Sequence, residues 1–241
     1  MKLNMTEDEL NLHILLSSIP LKELDDNKMP INSASGCIID YCNKSFILTV
    51  SHATKNFGKW AIEIAYEPSK GTQLYFIGQM NFLIEATLGS SIVKDVDFSY
   101  AIVPENIQPI YQQFDTTGKI IDQFPRTKNQ IDFNVNPSTE KKYGFSGQTK
   151  LSLENSYLFG EIRLITDLKY LEERDGFYVF KLPFKHQGHE YYQGCSGAPI
   201  IDNEGNIVAL VTSGDEDTDT IMGINIKKYK VALDIACNNI S

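Results

Sequence analysis

Gly194-Cys195-Ser196-Gly197-Ala198-Pro199 is the stretch on which the reading of this chain turns. It sets one hydroxyl among glycines just ahead of two apolar runs, 199–202 and 207–213, which the turn 202–206 separates. A serine hydroxyl is a weak nucleophile unless a base takes its proton and donors stabilise the oxyanion that forms. Glycines around it let the backbone fold tightly, so that successive N–H groups converge on one small concavity. Taken alone, the stretch suits a Gly-rich turn between strands as well as it suits a nucleophile.

Two further stretches change that balance. Phe46-Ile47-Leu48-Thr49-Val50-Ser51-His52-Ala53 is a hydrophobic strand that ends in a small residue and then a histidine. Asp95-Val96-Asp97-Phe98-Ser99-Tyr100-Ala101-Ile102-Val103 opens a strand with an acidic pair. A lone histidine after a strand commonly has no chemical task, and strand-opening aspartates are common turn formers. In the order His, Asp, Ser, however, the three resemble the chymotrypsin/trypsin-like serine peptidases, and not the subtilisins or α/β-hydrolases. That family reads "LTAAH", "DIALL" and "GDSGGP" at these places. Ile207-Val208-Ala209-Leu210-Val211-Thr212-Ser213-Gly214 is similar to its "VVGIVSWG" strand, which lines the primary specificity pocket. Met222-Gly223-Ile224-Asn225-Ile226 is similar to "GVYTRV", which precedes a C-terminal helix. The resemblance runs from about Ser35 to Cys237 and is loosest in the middle.

The resemblance implies an all-β fold of two six-stranded antiparallel β-barrels, with the active site between them and a short helix at each end. It divides the chain into an N-terminal helical extension (1–30), a first barrel (31–125), a second barrel (126–226) and a C-terminal helix (227–241). It implies a serine endopeptidase in which Ser196 attacks, His52 is the base and Asp97 orients it, with the Gly194 and Ser196 N–H groups as oxyanion hole. Asp95 competes with Asp97, since residues two apart in a strand share a face. Asp97 is preferred because it directly precedes the apolar run and lies 45 positions after His52. Glu190, Thr212, Ser213 and Gly214 fall where the family binds substrate, and Thr212 where it has a serine that supports the aspartate. The implied partner is a protein or peptide substrate, and no cofactor is needed. The alternative is an inactive relative that serves as a protein-binding module.

The departures from the family are informative. Cys195 replaces the acid that in animal trypsins pairs with a newly cut N-terminus, so activation by clipping is not expected. Cys195 is also one position out of register to be a nucleophile itself. Cys37 occupies a family cysteine position, but Ala53 stands where its partner would be. Four unpaired cysteines and no convincing leader suggest a reducing, cytoplasmic setting. A trailing PDZ or other accessory domain is not expected. Glu190, six positions before Ser196, and the acidic run Asp215-Glu216-Asp217 with Asp219 raise the idea of basic P1 residues. The pair in His186-Gln187-Gly188-His189 lacks a third metal ligand and reads as a solvent-facing loop near the active site. A peptidase free in the cytoplasm needs restraint, either narrow specificity or a regulatory protein partner that orders 187–194.

Composition is consistent with this. The chain has 241 residues, enough for one large all-β domain or two small ones. A net charge of −9 argues against a general nucleic-acid binder. No run of 18 apolar residues occurs, so no membrane helix is expected. The N-terminal run 10–19 reads as a helix, with Thr6 and Glu9 forming a capping box and Pro20 ending it. Strands are predicted at 36–39, 45–50, 60–66, 73–77, 82–86, 98–103, 142–145, 158–166, 177–182, 199–202, 207–213 and 221–226, with a connection at 129–140. The stretch 227–237 reads as a helix docking through Val231, Leu233, Ile235 and Ala236.

Overall fold

The computed structural model describes residues 5–55, 59–67, 69–86, 89, 93–117, 119–154 and 157–238. The chain begins with α1 (Glu7–Ser17), β1 (Ile19–Leu24), β2 (Pro30–Tyr41), β3 (Lys44–Thr49) and the one-turn helix α2 (Ser51–Thr54). There follow β4 (Lys59–Glu67), β5 (Gly71–Phe76), β6 (Asn81–Ala86), β7 (Val93–Val103), β8 (Ile110–Phe114), β9 (Ile120–Pro125) and β10 (Lys128–Gln130). The second half holds β11 (Lys142–Glu154), β12 (Tyr157–Arg174), β13 (Phe177–Lys181), α3 (His189–Tyr192), β14 (Pro199–Asp202), β15 (Ile207–Asp215) and β16 (Thr220–Asn225). A 3-10 turn (Ile226–Tyr229) then leads into α4 (Lys230–Asn238).

The Thr6/Glu9 capping box forms, so α1 starts where its sequence says it should. The helix stops at Ser17, however, and Ile19 and Pro20 belong to β1, a strand that the sequence reading missed. Lys22 and Glu23 hid it, because both are buried charges in what would otherwise be an apolar strand. Each has a partner: Lys22 meets Glu63 on β4 at 3.0 Å, and Glu23 accepts from Asn32 Nδ2 at 3.2 Å. Residues 1–30 are thus not purely a helical extension. The hairpin β2–β3 turns on Cys42 and Asn43, whose φ angles of 49° and 59° match the two-residue turn that suits twisted strands.

One of the two expected barrels closes. The second half forms a ring, β11-β12-β13-β16-β15-β14. The first half is an open sheet, β5-β4-β1-β2-β3-β7-β6, with β10 added in parallel to β2. Among the described residues its end strands β5 and β6 form no ladder with each other. Both expose much of their length, including Thr72, Gln73, Ile84 and Glu85, while Tyr75 of β5 and Phe82 of β6 pack against the sheet's core. Ile77 and Met80, between them, are nonetheless buried in the sheet's own core. The hairpin β8–β9 stands apart.

Three apolar clusters organise the molecule. One fills the curve of the open sheet around Leu21, Ile38, Ile47, Trp60 and Ile62. A second fills the barrel around Phe145, Leu168, Phe180, Ile200 and Val211. The third joins the halves: Cys37, Phe46, Leu48 and Phe98 from the sheet meet Ile201, Leu210, Ile224 and Leu233. β3 explains how one strand serves two clusters. Its side chains alternate, Phe46 and Leu48 towards the barrel and Ile47 into the sheet. That is why Phe46, Ile47 and Leu48 read as an unbroken apolar run.

α4 docks through Leu233 and Ala236, with Ala232 and Cys237 partly covered, while Val231 and Ile235 are 65% and 54% exposed. Val231 and Ile235 were expected in the docking face. They lie one helical turn apart from each other but off the Leu233/Ala236 stripe, because successive residues advance 100° around the axis. No described helix is long and apolar enough to cross a membrane.

Phe98 is fully buried between the halves and stacks on Tyr229 at 4.8 Å between ring centres. Phe98→Ala should therefore lower stability by about 3–5 kcal/mol in urea unfolding. A loss under about 1 kcal/mol would mean that the halves collapse around the gap and do not depend on this contact.

Candidate active site

β3 carries the chain out of the inter-half cluster at Val50 and into α2, whose first turn holds His52. Thr54 Oγ1 donates to Val50 O at 3.0 Å and lies 3.0 Å from Ser99 Oγ, which ties this helix to β7. Asp97 arrives from β7 through an irregularity in pairing. Phe82 faces Ser99 and Ile84 faces Asp95, so Leu83 alone stands opposite Val96, Asp97 and Phe98. A bulge of this kind lifts a side chain out of the ladder and re-aims it. Asp97 turns to His52, and Asp95 instead pairs with Lys55 at the surface.

The resulting contacts are close. His52 Nδ1 lies 2.9 Å from both Asp97 carboxylate oxygens, and the His52 backbone N–H donates to Asp97 Oδ1 at 3.0 Å. Ser51 Oγ contacts the same oxygen at 3.2 Å and donates to Val96 O at 2.8 Å. On the other side of the ring, His52 Nε2 lies 3.1 Å from Ser196 Oγ. The His52 side chain is half exposed, so this face of the site is open to solvent. Thr212, expected to support the aspartate, does not: its hydroxyl donates to Met222 O at 3.1 Å. Ser51 takes that place. Its signal, a hydroxyl directly before the histidine, was visible in the sequence but went unread.

Ser196 sits on a loop from α3 to β14 that both halves hold. Cys195 N–H donates to Tyr192 O and Gly197 N–H to Val211 O, at 2.9 and 2.8 Å. From β2, Ser35 N–H donates to Ser196 O at 2.9 Å, and Ser35 Oγ donates to Gly194 O at 2.7 Å. Gly197 has φ 88°, and a Cβ there would lie 2.0 Å from Ser35 O, so only glycine fits. Among the described residues no backbone acceptor takes the N–H of Gly194 or Ser196. Cys195 points the other way, into the barrel core, where burial pushes its thiol up to about 12 despite the charge of Arg163. It is a protonated packing residue at neutral pH.

Glu190, Thr212, Ser213 and Gly214 all border one cavity of about 300 Å³ that Ser196 also lines. Glu190 is exposed at its edge. His186 lines it too, which corrects the reading of the 186–189 loop as solvent-facing: the side chain of His189 is 79% exposed, but the Nε2 atom of His186 is buried. All four cysteines are free thiols.

No protein-family model matches the chain, and no curated protein matches it by sequence. By structure it is similar to a serine endoprotease of Yersinia pestis, with a TM-score of 0.60 at 10% identity over 98% of this chain and 68% of that one. The chain has the chymotrypsin-like protease fold. Neuropsin, a serine protease of mouse brain, shares that fold with a TM-score of 0.56 at 12% identity, covering 93% of this chain and 95% of that one. So does human heparin binding protein, at 0.58 and 11%, covering 92% of each chain. The chymotrypsin-like fold is thus shared by proteins named for proteolysis and by one named for binding, and what this site does rests on its own geometry.

Burial raises the proton affinity of Asp97, but the His52 ring and backbone N–H, the His52 charge and the Ser51 hydroxyl outweigh it and hold the carboxyl below its ordinary 3.8. The unfolded chain therefore binds this proton more tightly than the folded one. The stabilisation is present above about pH 3.8 and is lost as pH falls through the lower, folded value. Asp97→Asn should accordingly flatten the acid limb of the stability profile, read as melting temperature between about pH 2 and 5. An unchanged slope would show that the carboxylate has no such partners in solution.

Proposed function

We propose that this chain is a serine endopeptidase that cleaves protein or peptide substrates through an acyl-enzyme. The observation that carries the reading is the unbroken line of hydrogen-bond contacts Asp97–His52–Ser196, with 2.9 Å on one side of the imidazole and 3.1 Å on the other. A base within reach of a hydroxyl, itself oriented by a third group, is the arrangement nucleophilic catalysis requires.

The steps follow from those contacts. Ser196 Oγ attacks the scissile carbonyl carbon while His52 Nε2 takes the hydroxyl proton. Asp97, accepting from Nδ1–H, fixes the tautomer that leaves Nε2 free and stabilises the imidazolium. The carbonyl oxygen becomes an oxyanion, met by the N–H groups of Gly194 and Ser196, each worth about 2.7–4 kcal/mol in such sites. Collapse breaks the C–N bond, and His52 returns the proton to the leaving amine. Water, deprotonated by His52, then attacks the acyl carbon, the ester C–O bond breaks, and His52 returns the proton to Ser196 Oγ as the acid product leaves. The cavity bordered by Glu190, Thr212, Ser213 and Gly214 receives the side chain before the cut bond.

Fluorophosphonate labelling tests this, because it needs an activated serine and not merely a serine. The folded chain should label, Ser196→Ala should not, and His52→Ala and Asp97→Ala should react slower by about 10⁴-fold. Asp95→Ala should stay within about twofold of the parent, since Asp95 pairs with a surface lysine. A folded chain that never labels would overturn the proposal and favour a binding module built on the same fold.

A further inference from the structure

The cavity beside Ser196 contains an unmet hydrogen bond. His186 is held at three points: its backbone N–H donates to Asp219 Oδ1 at 2.9 Å, its Nδ1 accepts from Gly188 N–H at 3.1 Å, and its ring lies 4.6 Å from that of Tyr192. Because Nδ1 accepts, the proton of the neutral ring must lie on Nε2. That atom is buried and has no partner among the described residues. It lies over Gly214, where a Cβ would come within 2.4 Å of it, and both residues line the cavity. A buried donor without an acceptor is costly, and a ligand that supplies the acceptor recovers that cost on binding.

The charges nearby narrow what the acceptor can be. Burial lowers the proton affinity of His186 and the neighbouring His189 adds to that, while Glu216, Asp219 and Asp215 pull the other way, and the balance lies below the ordinary value for histidine. The ring is therefore a neutral donor. A carboxylate side chain would have to enter beside Glu190, which borders the cavity, with Glu216, Asp215 and Asp219 behind it. A lysine or arginine side chain brings only further donors to face Nε2–H, and the exposed Glu190 carboxylate offers it a well-hydrated and therefore weak partner. A neutral amide oxygen at the end of a side chain meets the donor without adding charge.

Resting on the peptidase reading, we infer that His186 is a specificity-determining residue that selects glutamine as the P1 side chain of the substrate. Glutamine presents its carbonyl oxygen to Nε2–H, and the cavity of about 300 Å³ has room for it.

Peptidyl phosphonates that differ only at P1 (Gln, Glu, Lys or Leu) test the inference by their rates of reaction with Ser196. The Gln probe should react at least about tenfold faster than the other three. In His186→Phe the Gln-to-Leu ratio should fall to about one, and Gly214→Ala, whose methyl would lie 2.4 Å from the present Nε2 position and displace the ring, should lower the same ratio. Circular dichroism on both variants establishes that they are folded. A Lys or Glu probe that reacts fastest, or a Gln preference that survives His186→Phe, would overturn the assignment. The plain fluorophosphonate separates the two readings. If it labels the parent chain while the P1 series is flat, only the role of His186 falls; if it does not label, the peptidase reading falls and takes this one with it.

Discussion

Ser35 is the point on which the site depends. One residue of the open sheet gives its N–H to Ser196 O and its hydroxyl to Gly194 O, while its own carbonyl accepts from Thr49 Oγ1 at 2.7 Å. His52 and Asp97 come from the sheet and Ser196 from the barrel loop. Without a fixed link across the halves, a hydroxyl and a base on separate elements would not keep hydrogen-bonding distance, and small misplacements of reacting groups cost large factors in rate. Two neutral hydrogen bonds in a buried setting supply that link, the Thr49 contact holds Ser35 within its own sheet, and the apolar cluster between the halves backs them.

The loop that bears Ser196 is held without charge on the residue before it. In animal trypsins an acid stands there and pairs with a new N-terminus. Here Cys195 fills a site in the barrel core and adds packing instead of an ion pair. The N-terminal segment is occupied elsewhere, with Ile14 of α1 buried in the inter-half cluster. Gly194 and Gly197, at φ 98° and 88°, give the loop its tight path, and Ser35 and Val211 fasten it from opposite sides. The loop is thereby shaped by sterics and by hydrogen bonds that every folded copy of the chain already possesses.

Buried polar groups show the same economy of partners. Lys22 and Glu23, which interrupt β1, are answered by Glu63 and Asn32. Asp202, fully buried, accepts from Lys141 Nζ and from the N–H groups of Glu204 and Asn206 in its own turn. Against that background four buried side-chain atoms have no partner among the described residues, Gln148 Oε1, Arg163 Nε, Tyr192 Oη and His186 Nε2, and of these residues His186 and Tyr192 line the cavity beside Ser196. Unsatisfied polar atoms at a site are commonly answered by what binds there.

Much of the site could be read from the chain because its chemistry is local. A serine among glycines, a histidine after a buried strand and an aspartate opening another are each short stretches whose order carries the argument. The capping box, the β2–β3 hairpin and most strands follow from patterns within a dozen residues. What the sequence could not settle depends on partners far along the chain. Ser35 meets Gly194 across 159 positions. Asp97 meets His52 and Asp95 meets Lys55 where the β6–β7 pairing is irregular, a register that the sequence does not show. Among the described residues the first sheet stays open because its end strands β5 and β6 do not pair, and such long-range pairing is not written in their strand-like composition. Types of residue and their order determined which chemistry this protein can attempt; the pairing of distant strands decided which hydroxyl, carboxylate and imidazole meet, since hydrogen bonds act over a few ångströms of space and take no account of distance along the chain.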